Sequence, residues 1–195
     1  MISLPTPFYP DKTINDEDMI ARLTTGVKTL NDVLVDFIVI PCNIVHKYHN
    51  IMQAISTVPI LNIIDITINE IKLMQANTVG LIATSATINS NLYQEQLYAN
   101  KIKLFHTNKL QLKITELLIE LKLFKLSSKS ISLWNEIISY LELGNCTHSI
   151  IACTDISICK DLKQTNIQFI DSNDILAKKT ITKYIEFKKL DSIKY

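Results

Sequence analysis

Two apolar patterns alternate along this chain. Short, continuous β-branched runs occur at 36–41 (DFIVIP), 58–63 (VPILNI), 78–84 (TVGLIAT), 148–153 (HSIIAC) and 167–171 (IQFID). A weaker run lies at 102–106 (IKLFH), and the opening MISLPTP can supply one more. Runs that are continuous rather than alternating suit parallel strands covered on both faces. Between them, apolar residues recur every three or four positions, which predicts helices at 15–35, 111–124, 127–144 and 171–190. Acidic residues open the first of these, matching the helix dipole. Serines cap the third, which ends at Gly144. Trp134 with Ile131, Ile138 and Leu141 reads as its core stripe. Strands alternating with helices predict an α/β fold with parallel sheets.

The pattern also repeats. One apolar run ends at Pro41-Cys42-Asn43, and another ends at Cys153-Thr154-Asp155. Each is followed by a helical connection, a second strand, a polar tip at Asn62 or Asp171, and a helix. Ligands in open α/β sheets bind at the carboxyl ends of strands. Two similar halves facing each other would therefore present a thiol on each side of one cleft. One thiol, as thiolate, can take a proton from carbon while the other returns one to the opposite face. An unperturbed thiol titrates near 8.5, so the base needs activation, for instance by a helix N-terminus beyond the strand tip. Packing is the competing reading, because cysteine is often a small buried hydrophobe.

Composition narrows the choice. The chain has 195 residues, 47% hydrophobic and 20% charged, with a net charge of +1. That is enough for a substantial core, and nothing marks a nucleic-acid or membrane surface. No apolar stretch reaches membrane-spanning length, and no signal peptide is evident, so a cytoplasmic protein is expected. Its four cysteines read as reduced thiols and not as a disulfide framework. The three glycines, Gly26, Gly80 and Gly144, form no nucleotide-binding loop. Cys146, His148, Cys153 and Cys159 do not have paired zinc-ligand spacing, and no metal is expected. Cys146 and Cys159 read as packing thiols.

The segments DFIVIPCNIVH, VGLIATSATINSNLYQ, IIACTDI and YPDKT, in their order along the chain, resemble the aspartate/glutamate racemase superfamily, most closely its aspartate racemases. The resemblance runs from about residue 4 to residue 185. It implies two flavodoxin-like parallel-sheet halves related by pseudo-twofold symmetry, with the first half N-terminally truncated. The halves would comprise residues 1–72 plus 175–195, and residues 73–174. It implies cofactor-independent interconversion of L- and D-aspartate or glutamate, with Cys42 and Cys153 as the acid/base pair. Lys12, Asn43, Thr84, Thr87, Lys122 and Thr154 are the implied substrate binders. His46, one helical turn beyond Cys42, reads either as a supporting group that polarises the thiol or contacts the substrate, or as a partly buried structural histidine, and Asp155 reads as a supporting group that tunes His or Cys protonation or as a helix cap. Tyr93 would pack beneath the site. The implied ligand is a small acidic amino acid or dicarboxylate, and a homodimer is expected.

Four departures keep other readings open. The family's Gly-Gly-Met-Gly-Pro strand-loop is not found ahead of the first motif. Ile44 stands where the family has threonine, Ala86 where it has glycine, and Lys12 where it has arginine. An apolar branch removes a substrate hydrogen bond, alanine strains a turn that needs φ > 0, and lysine lacks the bidentate fork. The alternatives are a catalytically inactive binding or assembly module, using an open sheet edge, and a related dicarboxylate isomerase.

Overall fold

In the computed structural model, residues 1–4 and 15–192 are described. Their element order is α1 (Asp16–Asp32), β1 (Ile38–Val39), a 3-10 turn (Ile44–Tyr48), α2 (His49–Ile55), β2 (Ile60–Leu61), α3 (Ile63–Leu73), β3 (Thr78–Ile82), α4 (Ser85–Asn89) and α5 (Leu92–Ala99). Then follow β4 (Lys103–Phe105), α6 (Asn108–Phe124), α7 (Ser128–Leu143), β5 (His148–Ile151), a second 3-10 turn (Ser157–Cys159), β6 (Gln168–Asp171) and α8 (Ser172–Ser192). Residues 1–4 carry no strand, so the opening apolar segment does not supply one there, and its remainder lies outside the described residues.

The apolar runs become parallel strands, each shorter than its run. β1 pairs with β2 in a two-stranded sheet, in register Ile38 to Ile60. The other four form a parallel sheet of order β4-β3-β5-β6. The chain is therefore α/β with two parallel sheets, as the pattern predicted. Helices cover both faces of the larger sheet. On one face, Leu110, Ile114, Leu117 and Leu121 of α6 and Trp134, Ile137, Ile138 and Leu141 of α7 pack with Ile82 and Ile151. Ile131 is 41% exposed and lies off the stripe, because its position falls on the outer side of α7. Cys146 and Cys159 pack in this cluster as expected. On the other face, Ile63, Ile64, Ile68 and Ile71 of α3 join Tyr93 and Leu97 of α5 against Val79, Leu81 and Ile150. A third cluster unites Met19, Leu23 and Val27 of α1 with Ile38, Val45, Tyr48, Met52 and Ile60 around the small sheet.

The helix ends follow local chemistry. Asn15, Asn62, Thr84, Thr107 and Ser127 each accept a backbone N–H from the first turn of the helix they open. Gly144 caps α7 without a left-handed conformation, since its φ is −79°. The left-handed residue is Asn145, with φ 52°. Glycine is needed at 144 for another reason: a Cβ there would sit 2.4 Å from the Phe105 ring. No described helix is long and apolar enough to cross a membrane.

Candidate active site

The parallel topology carries the strand ends to one side of each sheet. β3 and β5 are adjacent, with Ile82 opposite Ile151, and the rung continues as the Ala152 N–H donates to the Ile82 carbonyl at 2.8 Å. Thr84 and Cys153 thus leave neighbouring strands at the same level. Cys42 leaves β1 of the small sheet in the same way.

Both thiols face two backbone N–H groups, although they differ in exposure. Cys153 is buried and Cys42 is partly exposed. Burial pushes the Cys153 thiol up to about 11, opposed by the backbone N–H groups of Asp155 and Ile156 aimed at its sulfur. Burial also raises Cys42, opposed by the N–H groups of Val45 and Ile44. Each cysteine therefore sits at the start of a turn whose amides would stabilise a thiolate. Negative charge on Cys42 also raises the Cys153 thiol. Negative charge on Asp155 raises both thiols.

The other sequence candidates divide into groups. Asp155 pairs with Lys122 at 3.0 Å, and both side chains are solvent-accessible. Thr154 is exposed between Cys153 and Asp155. The hydroxyls of Thr84 and Thr87 bond each other at 2.9 Å, and the Thr87 N–H donates to the Thr84 hydroxyl at 3.2 Å. Asn43 is 3% exposed, and both polar atoms of its side chain are engaged. Its Nδ2 donates to Ser172 Oγ at 3.0 Å, and its Oδ1 accepts from the Tyr93 hydroxyl at 2.7 Å. His46 is buried beneath the Cys42 segment, with Nδ1 2.9 Å from the Cys42 carbonyl and Nε2 3.3 Å from the Leu61 carbonyl. Its imidazole braces the backbone on which the thiol sits. Lys12 lies outside the described residues.

Two departures from the racemase pattern acquire a structural reading. Ala86 lies within α4 and is not among the positive-φ residues, so its methyl causes no backbone strain. Ile44 is 6% exposed and packs inward, while its N–H still points at the Cys42 sulfur.

A family model described as Asp/Glu/Hydantoin racemase matches residues 5–180. The chain belongs to the Asp/Glu/hydantoin racemase family. It is 34% identical over 186 residues to the broad specificity amino-acid racemase RacX of Bacillus subtilis, covering 95% of this chain and 81% of that protein. It is 33% identical over 143 residues to a glutamate racemase of Buchnera aphidicola, covering 69% of this chain and 54% of that protein. Glutamate racemase of Francisella tularensis, solved in complex with D-glutamate, superimposes with a TM-score of 0.73 at 26% identity, covering 93% of this chain and 68% of that one. Picrophilus torridus aspartate racemase shares the fold, with a TM-score of 0.71 at 23% identity, covering 84% of this chain and 68% of that one. The class expected from the sequence, an amino-acid racemase, is the class of these relatives, and their fold agrees with the expected pair of α/β halves.

Sequence reading had missed Ser172 and the bonding role of Tyr93. The only signal for Ser172 was its place after the polar tip of the second repeat. Nothing local marks a partner 129 residues from Asn43.

Proposed function

We propose that this chain interconverts the enantiomers of aspartate or glutamate by cofactor-independent proton transfer between Cys42 and Cys153. The observation that carries this reading is the paired environment of the two thiols. Each lies at a strand end beneath two backbone N–H groups, and negative charge on Cys42 raises the Cys153 thiol. Mutual repulsion favours one thiolate facing one thiol, the protonation state a two-sided transfer requires. The thiolate takes the Cα proton and becomes a thiol. The electron pair left on Cα moves into the α-carboxylate, giving an enediolate. The opposite thiol then protonates the other face and becomes the thiolate. The product is the enantiomer, and the two cysteines have exchanged roles.

The remaining groups divide between the two carboxylates. Thr84, Thr87 and Thr154 offer hydroxyls near the strand ends, and Asn43 keeps one amide hydrogen beyond the one given to Ser172. Lys122 would exchange Asp155 for the side-chain carboxylate of the substrate, aided by Lys12. The same reading divides the chain into halves of 1–72 with 175–195, and 73–174, in a cytoplasmic homodimer.

The test is proton NMR of L-aspartate and L-glutamate in D₂O with the reduced protein. The Cα proton should exchange, and Cys42→Ala and Cys153→Ala should each lower racemisation by about 10²-fold or more, the usual worth of a positioned acid or base. Exchange that persists in both variants would exclude the cysteine pair. No exchange with the parent protein would leave a binding module or an isomerase of another dicarboxylate.

A further inference from the structure

A line of buried hydrogen bonds joins the two cysteine segments, and the proton transfers proposed above use none of its hydroxyls. The Tyr93 hydroxyl, from α5, donates to Asn43 Oδ1 at 2.7 Å. Asn43 Nδ2 donates to Ser172 Oγ at 3.0 Å. Ser172, the first residue of α8, donates to the Ile151 carbonyl at 3.0 Å. Asn43 follows Cys42 directly, and Ile151 precedes Cys153 by two positions. Tyr93 and Ser172 are both 0% exposed, and Asn43 is 3% exposed. Every donor points the same way along the line, so each bond polarises the next.

The small sheet explains why such a line is needed. β1 and β2 are paired over only two residues each. That ladder alone gives Cys42 little restraint. The large sheet that carries Cys153 is extended and covered on both faces. Inversion requires both sulfurs within reach of a single Cα, on opposite faces, and a misplacement of about 1 Å can cost about 10²-fold in rate. Proton exchange without inversion needs only one thiol. A buried polar line that spans both strand ends addresses the first requirement and not the second.

We propose that Tyr93, Asn43 and Ser172 form a polar pin that locks the Cys42 strand end to the Cys153 strand end, making Tyr93 and Ser172 positioning residues for two-sided proton transfer. The proposal rests on the racemase reading above, and its test separates the two. Tyr93→Phe and Ser172→Ala each remove one hydroxyl. With L-aspartate and L-glutamate in D₂O, NMR gives the rate of Cα exchange and chiral chromatography gives the rate of inversion. The ratio of inversion to exchange should fall about tenfold in either variant. The folded fraction cancels from that ratio, so a general loss of stability would not lower it. An unchanged ratio in variants with parental circular dichroism overturns the pin.

A parent protein that exchanges no Cα proton would refute the racemase reading, and thiol coupling then decides the pin on its own. Alkylation rates against pH, followed by peptide mass spectrometry, give the Cys153 titration. Cys42→Ser should lower it in the parent, and the drop should be smaller in a Ser172→Ala background, since coupling weakens with separation. An equal drop in both backgrounds overturns the pin.

Discussion

Gly80→Ala tests how closely α7 is seated on the sheet that carries Cys153. Gly80 lies in β3 opposite Ser149 of β5. A Cβ at this position would come 2.4 Å from Leu141 Cδ2 and 3.0 Å from Ser149 Oγ. Leu141 and Ser149 are both 0% exposed, so neither can swing into solvent. The methyl therefore displaces α7 or forces Leu141 off its rotamer. Overpacking of this kind costs about 1–3 kcal/mol, offset by a few tenths to 1 kcal/mol from the lower chain entropy of unfolded alanine. A net loss of about 1–2 kcal/mol is expected, which lowers Tm by roughly 2–8 °C for a chain of this size. Leu141→Ala alone should cost about 2–5 kcal/mol by leaving a cavity. The added methyl fills part of that cavity, so the double variant should be more stable than the sum of the single effects by about 1 kcal/mol or more. Urea unfolding followed by circular dichroism measures all four corners of the cycle. A Gly80→Ala cost below about 0.5 kcal/mol, or single effects that add within about 0.5 kcal/mol, would refute the close-contact reasoning.

Three further outcomes follow from individual residues. Asp155→Asn removes a negative charge that raises both thiols, so the acidic limb of the pH–rate profile should move to lower pH, and an unmoved limb would contradict the charge coupling. Lys125 follows α6 with φ 58° and ψ −139°, a conformation that favours glycine, so Lys125→Gly should stabilise the protein by about 1 kcal/mol in urea titration, and a destabilised variant would count against that geometry. Burial lowers the His46 pKa below its unfolded value near 6.5, so the unfolded state binds more protons. The contribution of His46 to stability is then complete above about pH 6.5 and is lost as pH falls through the native pKa. Tm should accordingly drop between pH 7 and 5, and His46→Asn should flatten that slope, whereas an identical slope in the variant would contradict the assignment.

Much of the architecture was legible because it is written locally. Each principal apolar run contains a strand, since a strand covered on both faces must be continuously apolar. The α6 segment declared itself by period, and α7 by period and by its serine caps. The α4–α5 hairpin over 85–99 was less legible. It is polar and short, with Asn91 in the left-handed region, and only its tertiary contacts bury Tyr93 and Leu97. Gly144 was read as an ordinary helix stop because the Phe105 ring pressing on it comes from β4, far along the chain.

The sequence by itself determined the α/β class, the duplicated strand end with a cysteine at each tip, and the racemase resemblance. These depend on residue type and spacing, which a linear reading preserves. Only the tertiary structure decided which groups meet. It paired Lys122 with Asp155, set His46 under the Cys42 carbonyl, and joined Asn43 to Tyr93 and Ser172. Tyr93 and Ser172 lie on elements far along the chain from Asn43, so their meeting depends on how the two sheets pack, and no local propensity encodes it. Burial was decided in the same way: the packing around Cys153 raises its thiol to about 11, while the amides of Asp155 and Ile156, aimed at the sulfur by the chain's turn, pull it back.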